Sequence, residues 1–224
     1  MIQNHLLQIL SLVLMEYKPR MTQRQIHNEK VRVLKKIKPL PAKYHLLGQY
    51  SSYKKELKEA GLKNKGTETF AKIVLNCENK KWDGVSLILK TGKRLKRKCG
   101  QIRINFKKSP KTIRNITDIG HNNLIIDIYP KQDISLELNT IDFSGKKSRK
   151  QVKFLFSKES EFGPNTIDEY SILLEEAIKG NKTLFARDDE IRESWKIVGK
   201  INRIKKRCKM VIYKDHTDPE KVKN

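Results

Sequence analysis

Cysteine is scarce in this chain: Cys77, Cys99 and Cys208 are the only three in 224 residues, and none forms a CxxC pair. This excludes an even disulfide framework, and a reducing compartment is the simplest reading. A glycine-rich strand–loop–helix is also lacking, so no dinucleotide-binding unit is expected within these residues. No apolar run reaches the ~20 residues that a membrane-spanning helix needs. The apolar stretch over residues 6–15 has no Lys or Arg before it and no small-residue cleavage site after it. That pattern favours a buried helix over a signal peptide. Zinc-finger spacing, an RNP-type aromatic pattern and a heptad-plus-basic region are all missing, and no metal site is expected.

Acidic residues are in deficit. Twenty-five Asp and Glu face 49 Lys and Arg, for a formal net charge of +24. The cations are spread along the whole chain rather than gathered in one arm or helix. Such a charge predicts non-specific attraction to polyanions, not sequence reading. Hydrophobic residues make up 37% and charged residues 33%. The apolar residues nevertheless recur with clear periods, which excludes a disordered chain.

Residues 2–16 read as a helix that is apolar nearly all round. His5, Gln8 and Ser11 recur at helical spacing as its one polar stripe. From spacing alone, His5 is a helix-start histidine bonded to solvent or backbone. A second helix spans residues 23–37, started by a capping-box pair, Thr22 and Gln25, and stopped by Pro39 and Pro41. Its apolar face is Ile26, Val33, Leu34 and Ile37. Residues 42–66 look polar and irregular, a long surface connection with a short helix near residues 54–59. Strands follow over residues 69–77, 85–89, 101–107, 124–129, 134–138 and 151–156, several with one-sided alternation, which suggests an antiparallel sheet. A helix over residues 166–179 has a capping pair, Thr166 and Glu169, and an expected buried stripe of Ile167, Tyr170, Leu174 and Ala177, with Gly180 as its stop. The next starts at Asp188 or Asp189, with Ile191, Trp195 and Val198 on one face. Residues 215–224 read as a frayed tail. Helices, then strands, then helices describe an α+β fold.

Five ordered segments resemble glucose-6-phosphate dehydrogenases: "MIQNHLLQILSLVLME"; "NEKVRVLKKIKPL" with "LLGQY"; "GTETFAKIVLNCENKKWDGVSLILKTGKRL"; "NNLIIDIYPKQDISLELN" with "IDFSGK"; and "DEYSILLEEAIKGNKTLFARDDEIRESWKIV". The resemblance implies the C-terminal portion of that family: a large, mainly antiparallel sheet flanked by helices, over residues 1–205, with 206–224 as a basic and polar tail. It implies NADP as cofactor, glucose 6-phosphate as substrate, 6-phosphogluconolactone as product, a place in the oxidative pentose phosphate pathway, and a cytoplasmic location. A homodimer through the sheet is implied as well, with no membrane partner.

The family's catalytic base is the histidine of a Gln-Asn-His-Leu-Leu motif, which is Gln3-Asn4-His5-Leu6-Leu7 here. The resemblance therefore implies His5 as the base that takes the sugar's C1 hydroxyl proton. The family's Thr-Gly-Lys motif is Thr91-Gly92-Lys93, with Lys98 five residues beyond the lysine. It implies substrate binding by Lys93 and Lys98, set against the plainer reading of a solvated basic turn. The Arg-Ile-Asp-His-Tyr-Leu-Gly-Lys-Glu signature and the Rossmann domain have no counterpart in the sequence. These 224 residues are accordingly expected to hold no nicotinamide site and no dehydrogenase activity by themselves, and to act with an N-terminal Rossmann-domain chain. The reading set against this one is a non-enzymatic, polyanion-binding remnant of the fold. The ending also departs from the family, lacking its Gly-Ser-Trp-Gly pattern.

Overall fold

The computed structural model describes residues 1–63, 65–108, 120–141, 149–163 and 168–223. In chain order its elements are a π-helical turn (Ile2–Leu6), α1 (Leu7–Leu14), α2 (Gln23–Lys36), β1 (Ile37–Pro39), β2 (Leu46–Tyr50) and α3 (Tyr53–Glu59). There follow β3 (Phe70–Cys77), β4 (Leu87–Gly92), β5 (Gly100–Asn105), β6 (Asn123–Tyr129), β7 (Ile134–Ile141) and β8 (Arg149–Phe156). The last are α4 (Lys158–Phe162), α5 (Glu169–Ile178), α6 (Asp188–Lys205) and β9 (Met210–Tyr213). The class is α+β, with mainly antiparallel strands and flanking helices. The chain divides into two compact units, Met1–Lys96 with Glu169–Asn224, and Arg97–Asp168.

The first unit is built on a five-stranded sheet in the order β1-β3-β2-β9, with β4 also paired to β3. The capping box is formed: the Gln25 amide donates to Thr22 Oγ1 at 3.3 Å, and the Thr22 amide donates to Gln25 Oε1 at 2.7 Å. Val33, Leu34 and Ile37 are buried as expected, in one core with Leu7, Leu14, Leu47, Ile73, Leu75, Leu89, Ile197 and Ile201.

Four expectations for this unit are corrected. First, residues 46–50 are not a surface connection. They form β2, a strand buried along its whole length between β3 and β9. A strand covered on both faces shows no alternation. Second, the segment over residues 206–224, read as a polar tail with a frayed end, contributes to the core. Strand β9 runs parallel to β2, with Gly48 opposite Val211 and Tyr50 opposite Tyr213. Tyr213 and Val222 are buried with Leu46, Tyr50 and Phe70. Third, α6 turns a different face inward. It buries Glu190, Ser194, Ile197 and Ile201, whereas Ile191 and Trp195 are exposed.

The reason for the third correction is a buried ionic cluster. Glu190, 0% exposed, takes His27 Nδ1 at 2.5 Å and Lys30 Nζ at 2.6 Å, both from α2. A carboxylate paired with a lysine ammonium and bonded to a histidine ring is tolerated in a core that excludes a lone one. Helix α5 is corrected too. Tyr170 and Leu174, expected to be buried, are 75% and 66% exposed. Thr166 and Ile167 lie outside the described residues. The predicted stop holds, with Gly180 at φ 70°.

The second unit is a four-stranded antiparallel sheet in the order β5-β6-β7-β8. On β5, half-buried Ile102 and Ile104 alternate with exposed Gln101, Arg103 and Asn105, as the sequence predicts, whereas Phe106, expected on the same face as the two isoleucines, lies past the strand and is exposed. At the start of β7 the pattern inverts: Ser135 is buried and Ile134 exposed. Val152, Phe154, Leu155 and Phe156 of β8 are all exposed.

Candidate functional site

Lys93 follows directly on β4, and its main chain is held at both ends. Its amide donates to the Thr69 carbonyl at 2.8 Å. Its own carbonyl oxygen accepts from the Tyr213 hydroxyl at 2.7 Å. The next residues are tied to the chain's final segment: the His216 amide donates to the Arg94 carbonyl at 2.7 Å, and the Lys96 amide to the Thr217 carbonyl at 3.1 Å. Gly92 is required by packing, since a Cβ there would stand 2.7 Å from Cδ2 of the buried Phe70 ring. A rigid strand end thus presents the exposed ammonium of Lys93.

Beside it lies a cavity of about 420 Å3, lined by Tyr50, Tyr53, Glu68, Thr69, Lys93 and Arg94. Its wall is cross-linked by polar contacts. The Tyr50 hydroxyl donates to Glu56 Oε2 at 2.6 Å, and Arg94 Nη2 to Glu56 Oε1 at 2.8 Å. The Arg94 guanidinium lies over the Tyr50 ring at 5.9 Å. The bond to Glu56, with burial, pushes the Tyr50 phenol up to about 12. The same bond holds the Glu56 carboxyl below its ordinary value. Burial likewise raises the Tyr213 phenol. The far side of the clamp is anchored by Asp215, whose carboxylate accepts from Ser52 Oγ at 2.6 Å and Ser51 Oγ at 2.9 Å. The Ser52 bond is the main cause of its lowered pKa.

His5 sits in the π-helical turn that leads into α1, its amide donating to the Met1 carbonyl at 2.9 Å. The imidazole is exposed. The turn packs against β4 and α6, and Ile2 and Leu6 rest on the core that contains Leu87 and Leu89 of β4. His5 and Lys93 are therefore carried by adjoining elements of one unit. Lys98 belongs to the other unit, with its ammonium over the Tyr129 ring at 5.1 Å. The first unit thus carries an exposed imidazole on the turn and, beyond the end of β4, the exposed ammonium of Lys93 and guanidinium of Arg94, residue types able to accept a proton and to bind an anion.

Sequence reasoning missed the residues that set the Lys93 main chain: Thr69, Tyr213 and the 215–217 turn. One signal was present. Met210-Val211-Ile212-Tyr213 is a short apolar run of strand formers inside a polar stretch.

All of the chain, residues 1–224, matches the family described as glucose-6-phosphate dehydrogenase, C-terminal domain. A glucose-6-phosphate 1-dehydrogenase of Borreliella burgdorferi is 35% identical over 216 residues, covering 90% of this chain and 45% of the relative. The cytoplasmic isoform of Solanum tuberosum is 34% identical over 197 residues, covering 88% of this chain and 38% of the relative. A solved structure of a glucose-6-phosphate dehydrogenase in complex with its substrate glucose 6-phosphate superposes with a TM-score of 0.84 at 30% identity, over 96% of this chain and 46% of that one. The Mycobacterium avium enzyme superposes at 0.79 with 27% identity, over 97% and 46%. The chain spans less than half the length of the curated relatives it matches. The chain belongs to the glucose-6-phosphate dehydrogenase family, as its C-terminal domain.

Proposed function

We propose that this chain supplies the sugar-phosphate lysines and the general base of an NADP-dependent glucose-6-phosphate 1-dehydrogenase. The observation that carries the reading is the clamped strand end at Lys93, on an element adjoining the turn that bears His5. Lys93 and Lys98 contribute positive charge for the phosphorylated sugar. His5 accepts the proton of the C1 hydroxyl, a role suited to imidazole, whose charge as a class changes near neutral pH. NADP, when bound, supplies the hydride acceptor. The sequence holds no glycine-rich strand–loop–helix to cradle a dinucleotide, so no residue of this chain is assigned to it. A Rossmann unit, in the same polypeptide or another, is its proposed holder, and these residues by themselves are proposed to be inactive. The exposed apolar side chains of β8 support a homodimer through that sheet. The likeness to the cytoplasmic potato isoform supports a cytoplasmic place.

The test is complementation. The chain is mixed with the nucleotide-binding half of a related dehydrogenase, and NADP reduction is followed with glucose 6-phosphate. Activity that needs both pieces and disappears in His5→Ala supports the reading. A folded mixture inactive at every ratio counts against it. The second reading, a non-enzymatic polyanion binder, rests on the +24 charge. It requires binding to RNA or DNA tighter than micromolar at about physiological salt.

A further inference from the structure

A groove of about 240 Å3 runs between α2 and α6, away from the Lys93 cavity. Its floor is Leu34, Ile37 and Ile197, all within the core. Its rim carries Lys35 from α2, and Lys196, Lys200 and Arg203 from α6. The α6 cations stand at i, i+4 and i+7, and so share one helix face. Glu193 also lines the groove, but it is tied to Lys196 at 2.7 Å. Lys35, Lys200 and Arg203 make no ion pair among the described residues. Three cations without an ion pair among the described residues surround one apolar-floored groove.

Gly199 is the second observation. It lies inside α6 and lines the groove. Glycine weakens a helix interior relative to alanine. Yet a Cβ at this position would meet nothing within 4 Å, so no contact within the described residues requires glycine here. The missing side chain leaves the groove open beside Lys200.

We propose that this groove binds a phosphate monoester with a small apolar group. A phosphate monoester carries close to two negative charges and three acceptor oxygens, which match one guanidinium and two ammonium groups. The apolar floor receives the ester group. The volume is below that of drug-sized pockets, which favours a small ligand over a nucleotide or a longer polyanion.

The probe is phenyl phosphate, added to the isotope-labelled chain and followed by amide NMR, with inorganic phosphate and a single-stranded oligonucleotide as further arms. Phenyl phosphate is expected to shift the amides of Gly199 and Lys200 and to bind more tightly than inorganic phosphate. Lys200→Glu and Arg203→Glu each weaken it about tenfold, the loss of one good charged hydrogen bond. Lys54→Glu, the same charge change on exposed α3, leaves it unaltered. Gly199→Ala weakens binding while raising the thermal unfolding midpoint, a pair of opposite effects that a purely structural glycine does not produce. Equal loss in Lys54→Glu, or groove shifts with the oligonucleotide alone, overturns the proposal. Shifts confined to Lys93 also overturn it, and leave the dehydrogenase reading standing.

Discussion

The Tyr213 hydroxyl donates to the Lys93 carbonyl oxygen at 2.7 Å and lies 3.1 Å from Thr69 Oγ1. One phenol in the last strand thus fixes the main chain of the lysine proposed to meet the sugar phosphate. Tyr213→Phe keeps the ring and its edge-on packing with Phe70, whose centroid is 5.8 Å away, but removes the donor. Losing one hydrogen bond of this part-buried kind costs about 0.5–1.5 kcal/mol. In the complemented enzyme, KM for glucose 6-phosphate should rise with kcat nearly unchanged, as measured by steady-state kinetics. An unaltered KM would show that the clamp does not position Lys93.

Gly92→Ala acts on the same lysine from the other side. The new methyl would meet the Phe70 ring at 2.7 Å, and that ring is buried and held by Tyr213. Overpacking of this kind costs about 1–3 kcal/mol. A lowered denaturation midpoint together with weaker glucose 6-phosphate binding is the expected result, read by chemical denaturation and calorimetry.

Glu190→Gln should be among the most damaging single changes in the first unit. It leaves Lys30 and His27 buried without their anion. Breaking a buried pair from one side costs about 3–5 kcal/mol. Adding Lys30→Met to Glu190→Gln should return part of that loss, because the uncompensated charge is then gone. Urea unfolding of the single and double variants measures the coupling.

The Tyr50–Glu56 bond predicts an alkaline signature. Folding raises the Tyr50 phenol from its ordinary 10.0 to about 12, chiefly through its hydrogen bond to Glu56. Because the folded value lies above the unfolded one, the contribution is complete below pH 10 and is lost as pH rises towards 12. The stability difference between wild type and Tyr50→Phe should therefore shrink across that interval. A constant difference would mean that the phenol does not titrate as described.

A chain ending at residue 205 tests whether the final segment is structural. It loses β9 and the buried Tyr213 and Val222, which exposes Tyr50 and Phe70. Loss of cooperative thermal unfolding, followed by circular dichroism, is expected. An unchanged transition would restore the reading of residues 206–224 as a polar tail.

The sequence by itself determined the α+β class, the capped start of α2, the alternation of Ile102 and Ile104 along β5, and the family. Each of these is local: a side chain bonding three residues away, or a period visible within one segment. Two faces and two strands were decided only by tertiary structure. Strand β2 is covered on both sides, and therefore lacks the alternation that reveals a strand with one wet face. Strand β9 earns its place only from pairing with β2, more than 150 residues earlier in the chain. The inward face of α6 carries Glu190, which hydrophobic periodicity assigns to solvent; only the arrival of His27 and Lys30 from α2 makes its burial affordable. The Lys93 motif was legible as a resemblance, but its rigidity was not. The bonds that hold it come from Thr69, Tyr213 and the 215–217 turn, and such long-range partners exist only once the chain has closed on itself.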